Sequence, residues 1–239
     1  MRISAISEGV SLFEYLLRRK TPVRKLTDDR IASHLAKLTG TIVELGALGE
    51  GRKRWAKAAT EYIPTNITPD AQRILDATQM DLPDNSVDAF LCESMLEHVN
   101  EVDKVIQEIH RVLKPGGKLL MATPWMYPYH AAPDDYLRFS SSALAGLLSG
   151  FELECVEPIG NYWSTTATFA QLKVHPWGRK SKVKRAARLL FGSPLLGLGY
   201  VYELIGRVAR ESDGFSGMFL VLAVKRGART SPGPTVRLS

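Results

Sequence analysis

Val102, Val105, Ile106, Ile109, Val112 and Leu113 recur at three- and four-residue intervals between Glu101 and Lys114. That spacing lays one apolar stripe along a helix, and Pro115-Gly116-Gly117 stops it. Ser7 to Arg19 carries the same period, with Val10, Phe13, Leu16 and Leu17 on one face. A third run extends to Leu38, with Thr27-Asp28-Asp29 expected to cap it and Gly40 to end it. Gly51 to Thr60 has helical composition, and Ser140 to Leu148 reads as a helix. Strands are expected at Thr41 to Leu45, Glu61 to Ile67, Arg73 to Asp76, Val87 to Cys92, Lys118 to Thr123, Phe151 to Val156 and Met218 to Val224. Pro64 weakens the second of these, because it removes a ladder donor.

Short strands alternating with helices predict βαβ units in an α/β fold, a Rossmann-like doubly wound, mostly parallel sheet with helices on both faces. No internal repeat is visible. The chain organises as helices over 1–40, an α/β core over 41–157, a basic then apolar helical insertion over 158–216, a final strand over 217–226 and a tail over 227–239 expected to be disordered.

Composition narrows the class without naming it. The 239 residues are 45% hydrophobic and 23% charged, which excludes a disordered chain, a collagen-like fibre and a small disulfide scaffold. Cys92 and Cys155 sit in apolar runs and read as buried, reduced thiols of a cytoplasmic protein. Glu8 and Glu14 interrupt the N-terminal apolar stretch, so no leader is expected. Leu189 to Tyr202 is apolar but contains Pro194 and is shorter than the ~20 residues a spanning helix needs. The net charge of +6 is concentrated. From Pro158 to Tyr202 there is no acid, while Lys173, Arg179, Lys180, Lys182, Lys184, Arg185 and Arg188 all fall there. The favoured reading is a helical insertion packed on the sheet with its cations in water. Residues 179–205 also suit peripheral contact with an anionic membrane. Nucleic-acid binding is not expected, since the run lacks interleaved aromatics and any recognised motif.

In an open α/β sheet ligands bind beyond the carboxyl ends of the strands. There the chain places Glu44-Leu45-Gly46-Ala47-Leu48-Gly49-Glu50-Gly51, then Asn66, then Asp76-Ala77, then Glu93-Ser94. Each alone suits a cap or a turn; together they describe a polar crevice. Asp76-Ala77 with Leu82-Pro83-Asp84-Asn85-Ser86-Val87-Asp88, then Leu96-Glu97-His98-Val99, then Glu108 to Gly117 form an ordered set. In this respect the chain resembles the class I S-adenosylmethionine-dependent methyltransferases of the type 11 kind, over roughly Thr41 to Phe139. The resemblance implies a seven-stranded sheet with an antiparallel last strand, and S-adenosylmethionine as cofactor. By position it implies cofactor contacts at Glu44, Gly46, Asn66, Asp76, Ala77 and Glu93. Two departures stand out. Leu48 and Glu50 replace glycines of the family's cofactor loop, and Asn66 replaces the acid that usually holds the ribose. They motivate a second reading, a methyltransferase-fold scaffold without catalysis. Gly46-x-x-Gly49-x-Gly51 reverses the spacing of Gly-x-Gly-x-x-Gly, which weighs against a nicotinamide-dependent dehydrogenase.

The segment from Pro124 to Phe139 is unusually rich in chemistry, and it resembles the Tyr-Pro-x-His-x-x-Pro-x-Asp-Tyr-x-Arg-Phe stretch of many type 11 members. Its position makes it an acceptor lid, with Trp125, Tyr129, Tyr136 and Arg138 as substrate contacts. Methyl transfer requires alignment of the acceptor and loss of a proton from a hydroxyl or amine. His130 is the candidate proton acceptor, with Asp135 to orient it or act instead, although Asp135 and Arg138 also suit a mutual ion pair. His98 is expected to shape the crevice wall and His110 to be exposed. The histidines and carboxylates show no metal-ligand spacing along the chain, so no metal is expected. The expected activity is methylation of a small or lipid-linked acceptor, with transfer to oxygen preferred.

Overall fold

The structure, a computed structural model, describes residues 21–174 and 215–227. The expected helix at Ser7 to Arg19, the 179–205 stretch and nearly all of the tail lie outside them. Two compact units divide the chain. The larger takes residues 30–125, 129–157 and 219–227; the smaller takes 21–29, 126–128, 158–174 and 215–218.

Helix α1 spans Pro22–Leu35. It begins earlier than the Thr27-Asp28-Asp29 signal suggests because Thr21 and Pro22 start it. The Thr21 hydroxyl accepts from the Arg24 N–H at 3.3 Å, and proline is pre-set for the first helical position. Thr27-Asp28-Asp29 therefore lies mid-helix. The Thr27 hydroxyl donates back to the Val23 carbonyl, and Asp28 and Asp29 pair with Arg24 and Lys25 one turn earlier.

Six strands follow: β1 Gly40–Leu45, β2 Ala59–Thr65, β3 Val87–Glu93, β4 Leu113–Pro124, β5 Phe151–Ile159 and β6 Met218–Lys225. They form one sheet in the order β2-β1-β3-β4-β6-β5, mostly parallel with one antiparallel strand. The Rossmann-like α/β expectation holds; among the described residues the sheet has six strands rather than seven. Arg73 to Asp76, the missing strand, is reduced to an isolated parallel bridge between Asn66 and Ile74. Pro64 is tolerated because β2 is the last full strand on its side of the sheet.

Between β1 and β2 the segment expected to be helical makes only a 3-10 turn, Lys53–Trp55, whose Trp55 is buried. Helix α2, Val102–Val112, buries Val102, Val105, Ile106, Ile109 and Val112 as its spacing requires. Fully burying one such side chain contributes about 1.5–3 kcal/mol. Helix α3, Ser141–Leu147, is capped by Ser140, whose hydroxyl accepts from the Ala143 N–H at 3.2 Å. Two side-chain expectations need correction. Cys92 is buried but Cys155 is only partly so. His110 is half-buried, edge-on to Phe151 with ring centroids 5.2 Å apart, and burial lowers its pKa.

In the smaller unit, helix α4, Tyr162–Val174, lies within the stretch expected to be a helical insertion. Asn161 caps it, its Oδ1 accepting from the N–H groups of Trp163 and Ser164 at 3.0 Å each.

Candidate functional site

Parallel register aligns the carboxyl ends of the central strands. Leu45 lies opposite Thr65 on one side and Cys92 on the other, and Glu93 lies opposite Ala122. The polar residues closing these strands therefore share one edge of the sheet. The Glu44 carboxylate turns onto the loop after β1. Its Oε2 accepts from the Arg52 N–H at 2.7 Å and from the Tyr62 hydroxyl at 2.5 Å. Burial, followed by this carboxylate, raises the Tyr62 phenol far above its ordinary pKa, so it stays a donor. The loop reaches Glu44 through Gly46, Gly49 and Gly51, all at positive φ. A Cβ on Gly51 would stand 1.8 Å from Glu44 Oε2, and one on Gly46 would stand 2.9 Å from Met95 Cγ. Only glycine fits at either place.

Glu93 is held by Arg52, whose Nε and Nη2 lie 2.7 and 2.6 Å from its Oε2. The Arg52 guanidinium also sits 5.0 Å above the Trp55 ring. Arg52 and Tyr62 thus belong to the site, and the sequence offered no signal for either. Asn66 is occupied locally: its amide donates to the Ala47 carbonyl at 2.9 Å and its Oδ1 accepts from the Ile67 N–H at 2.7 Å. Asp76 is exposed, its Oδ1 accepting from the N–H and hydroxyl of Thr78. Ala77 packs against the core. Leu48 is 86% exposed, so it leaves the strand ends open. Ile67 and Ile74 also expose apolar side chains along this edge.

Beyond β3 the chain makes a 3-10 turn, Leu96–His98, and the 125–139 loop lies against it. The Tyr136 N–H donates to the Glu97 carbonyl at 2.8 Å, and His98 Nδ1 lies 2.6 Å from the Asp134 carbonyl oxygen. A carbonyl only accepts, so Nδ1 of His98 carries the proton and Nε2 is its lone-pair nitrogen. That Nε2 lies 3.8 Å from Glu97 Oε1. His130 approaches from the loop, with Nε2 3.9 Å from the same oxygen and Nδ1 3.3 Å from Asp135 Oδ2. The two imidazoles meet edge to face at 4.9 Å. Glu97 is fully buried, and neither carboxylate oxygen has a hydrogen-bond partner. Burial raises its pKa to about 7.

Asp135 pairs with Arg138 through both oxygens, the Oδ2 bond measuring 2.7 Å, and also accepts from the His130 N–H at 2.8 Å. The guanidinium holds this carboxyl well below the ordinary range, against the effect of burial. Asp135 is thus a poor base and a firm anchor for His130. Of the other loop residues, Tyr129 and Tyr136 are exposed, the Tyr136 hydroxyl donating to Asp134 at 3.1 Å. Trp125 leans on Phe219 at 6.3 Å. The fold therefore gathers His130, Asp135 and Arg138 into one cluster with Glu97 and His98. It gathers Glu44, Gly46 and Glu93 at the strand ends, and Asn66 and Asp76 along the neighbouring edge.

Comparison with known proteins agrees with this architecture. A family model described as a methyltransferase domain matches residues 30–121. A demethylmenaquinone methyltransferase of Renibacterium salmoninarum is 40% identical over 73 residues, 29% of this chain and 31% of the relative. The ubiquinone/menaquinone biosynthesis C-methyltransferase UbiE of Escherichia coli is 36% identical over 64 residues, 26% of each chain. The chain spans less than a third of the length of the curated relatives it matches. Among solved structures, the [4+2]-cyclase SpnF superposes with TM-score 0.54 at 21% identity, covering 84% of this chain and 83% of that one. An S-adenosylmethionine-dependent methyltransferase from Mesorhizobium loti superposes with TM-score 0.51 at 18% identity, covering 84% and 99%. Residues 30–121 match a methyltransferase-domain model, and the fold around them is shared with solved structures that include an S-adenosylmethionine-dependent methyltransferase. S-adenosylmethionine is the cofactor of such methyltransferases.

The residues present fit such a cofactor. The turn at Gly46 and Gly51 has no room for side chains, Leu48 stands clear of the strand ends, and Glu44, Glu93 and Asp76 bring carboxylates to one edge. Asn66 differs, because its amide ties the loop to β2.

Proposed function

We propose that this protein is an S-adenosylmethionine-dependent methyltransferase acting on a hydroxyl of a small or lipid-linked acceptor held by the 125–139 loop. The bound cofactor supplies the methyl group on a sulfonium. Gly46 gives the loop backbone its close approach, and Glu44 and Glu93 brace the loop around the cofactor. Asp76 and Ala77 hold the adenine end, where the second Asp76 oxygen accepts from an amine, and Asn66 keeps the ribose side closed. Trp125, Tyr129, Tyr136 and Arg138 line the acceptor side. The proton leaving the hydroxyl is taken up at the cluster that His130 completes, with Asp135 fixing the ring.

The observation that carries this reading is the imidazole of His130, held by Asp135 on one nitrogen and turned on the other toward buried Glu97. General-base catalysis contributes about 10²–10⁴-fold. His130→Ala should lower turnover by that order while the affinity for S-adenosylhomocysteine, measured by calorimetry, stays within a factor of three. Parallel losses in rate and affinity would reject the assignment. Because quinone-biosynthesis relatives are named C-methyltransferases, a second reading is transfer to a ring carbon of a hydroxylated aromatic, where loss of the same proton makes the ring nucleophilic. Isotope-labelled methyl followed into product by NMR separates a methyl ether from a C-methyl. A protein that binds no cofactor would instead favour the scaffold.

No helix among the described residues is long and apolar enough to cross a membrane. The proposed setting is the cytoplasm, with residues 179–205 free to meet an anionic membrane peripherally.

A further inference from the structure

Among the described residues, Glu97 is a buried carboxylate with neither oxygen hydrogen-bonded. A fully buried carboxylate with no hydrogen bond to either oxygen is costly, and buried polar atoms in folded proteins nearly always have a partner. Two imidazole nitrogens face one of those oxygens at 3.8 and 3.9 Å, and the three donor atoms lie within 4.8 Å of one another. Each ring is fixed from behind, His98 by the Asp134 carbonyl and His130 by the Asp135 carboxylate. In both, the acceptor behind the ring keeps the proton on Nδ1 and leaves Nε2 as the lone-pair nitrogen. Metal-binding histidines are oriented in this way.

We infer that Glu97, His98 and His130 bind one divalent transition-metal ion, Zn²⁺ by their ligand chemistry. Two imidazoles and a carboxylate suit zinc rather than magnesium or calcium, and three protein ligands leave a fourth position open. Tetrahedral zinc with bonds of about 2.0–2.2 Å sets its donors roughly 3.3 Å apart, so the cluster needs to close by about half an ångström at the two carboxylate–imidazole contacts and by up to ~1.5 Å between the imidazoles. The charge balance also suits a cation. Glu97 is unneutralised at close range, and the nearby Arg138 guanidinium is answered by Asp135. His98 and His130 keep side-chain exposures of 14% and 21%, which gives an ion a way in.

The inference departs from the expectation of no metal, which was drawn from spacing along the chain. Glu97 and His98 are adjacent, and the third ligand arrives on a separate loop. The inference rests on the proposed function only for its consequence and changes one step of it: with metal bound, His130 Nε2 is a ligand, and an acceptor hydroxyl at the open position would lose its proton more readily through the metal rather than to His130.

The test uses the untagged full chain, stripped with chelator and titrated with zinc in competition with a chromophoric chelator. Elemental analysis then counts retained metal, and cobalt substitution reports ligand geometry. One equivalent per chain is expected, with visible cobalt bands of a four- or five-coordinate site. Glu97→Gln and His98→Ala should bind at least ~100-fold more weakly, since even a lost orienting partner costs 10–100-fold. His110→Ala, away from the cluster, should bind as the wild type does. Circular dichroism checks that each variant is folded. Wild-type protein that retains no zinc and gives no cobalt bands would overturn the site, as would folded Glu97→Gln or His98→Ala protein that binds like wild type. S-adenosylhomocysteine titrated into the same samples keeps the two ideas apart. Cofactor binding without metal rejects only the metal; metal binding without cofactor rejects only the methyltransferase reading.

Discussion

Replacing Gly51 by alanine tests how the loop after β1 is built. Gly51 has φ +57°, where a Cβ costs about 1–2 kcal/mol. The new methyl would also stand 1.8 Å from Glu44 Oε2, an oxygen that already accepts from Arg52 and Tyr62. That carboxylate has to move, and losing one hydrogen bond to a charged group costs about 1.5–3 kcal/mol. Gly51→Ala should therefore cost about 2.5–5 kcal/mol, which lowers Tm by roughly 5–20 °C at ~2–4 °C per kcal/mol for a chain of this size. Gly49 is the internal control. It has φ +59° but nothing within 4 Å of a Cβ, so Gly49→Ala should cost only the backbone share, roughly 2–8 °C. Thermal melts of both variants, repeated in a Glu44→Ala background, form a double-mutant cycle. With the carboxylate gone, Gly51→Ala should become no worse than Gly49→Ala. Equal effects in the wild-type background, or a Gly51 penalty that survives loss of Glu44, would refute this account of the loop.

Three further outcomes are expected. His110 has its pKa lowered by burial against Phe151, so below about pH 6.5 the unfolded chain takes up the proton first and stability falls with pH. His34 shifts the same way; urea unfolding at several pH values from about 7.5 to 5 should show a shallower fall in His110→Gln, and an unchanged slope would contradict the burial. Ser140→Ala removes the cap of α3 and should cost about 1 kcal/mol by the same melts. Ile109→Ala empties a fully buried position beneath the sheet and should cost about 2–5 kcal/mol, a loss under 1 kcal/mol being inconsistent with the packing.

Strands β1, β3, β4 and β6 were legible as short, almost continuously buried apolar runs, and helix α2 by the three- and four-residue spacing of its buried stripe. The failures have local causes. Thr27-Asp28-Asp29 looks like a cap, yet Thr21-Pro22 is the stronger one, and the acids are satisfied by Arg24 and Lys25 a turn away. Arg73 to Asp76 has strand composition but only Asn66 to pair with, so it stays a single bridge. Helix α4 was expected only as part of a helical insertion; its bounds were not legible because Tyr162 to Val174 carries no apolar stripe. At the site, residues at strand ends were readable from topology. Arg52 and Tyr62 were not, since their roles depend on which carboxylates the fold brings within reach. The Glu97–His130 contact was invisible for the same reason: it joins a turn to a distant loop.

The central claim is that the carboxyl edge of this sheet holds a nucleoside, and the direct measurement is titration of the purified chain with S-adenosylhomocysteine, by calorimetry with parallel melting curves. The account predicts one site per chain. At a hundredfold excess over Kd the ligand should add about 2.7 kcal/mol of stability, raising Tm by roughly 5–10 °C, and Asp76→Ala should weaken binding without lowering the ligand-free Tm. Absence of both heat and thermal shift at millimolar ligand would contradict it.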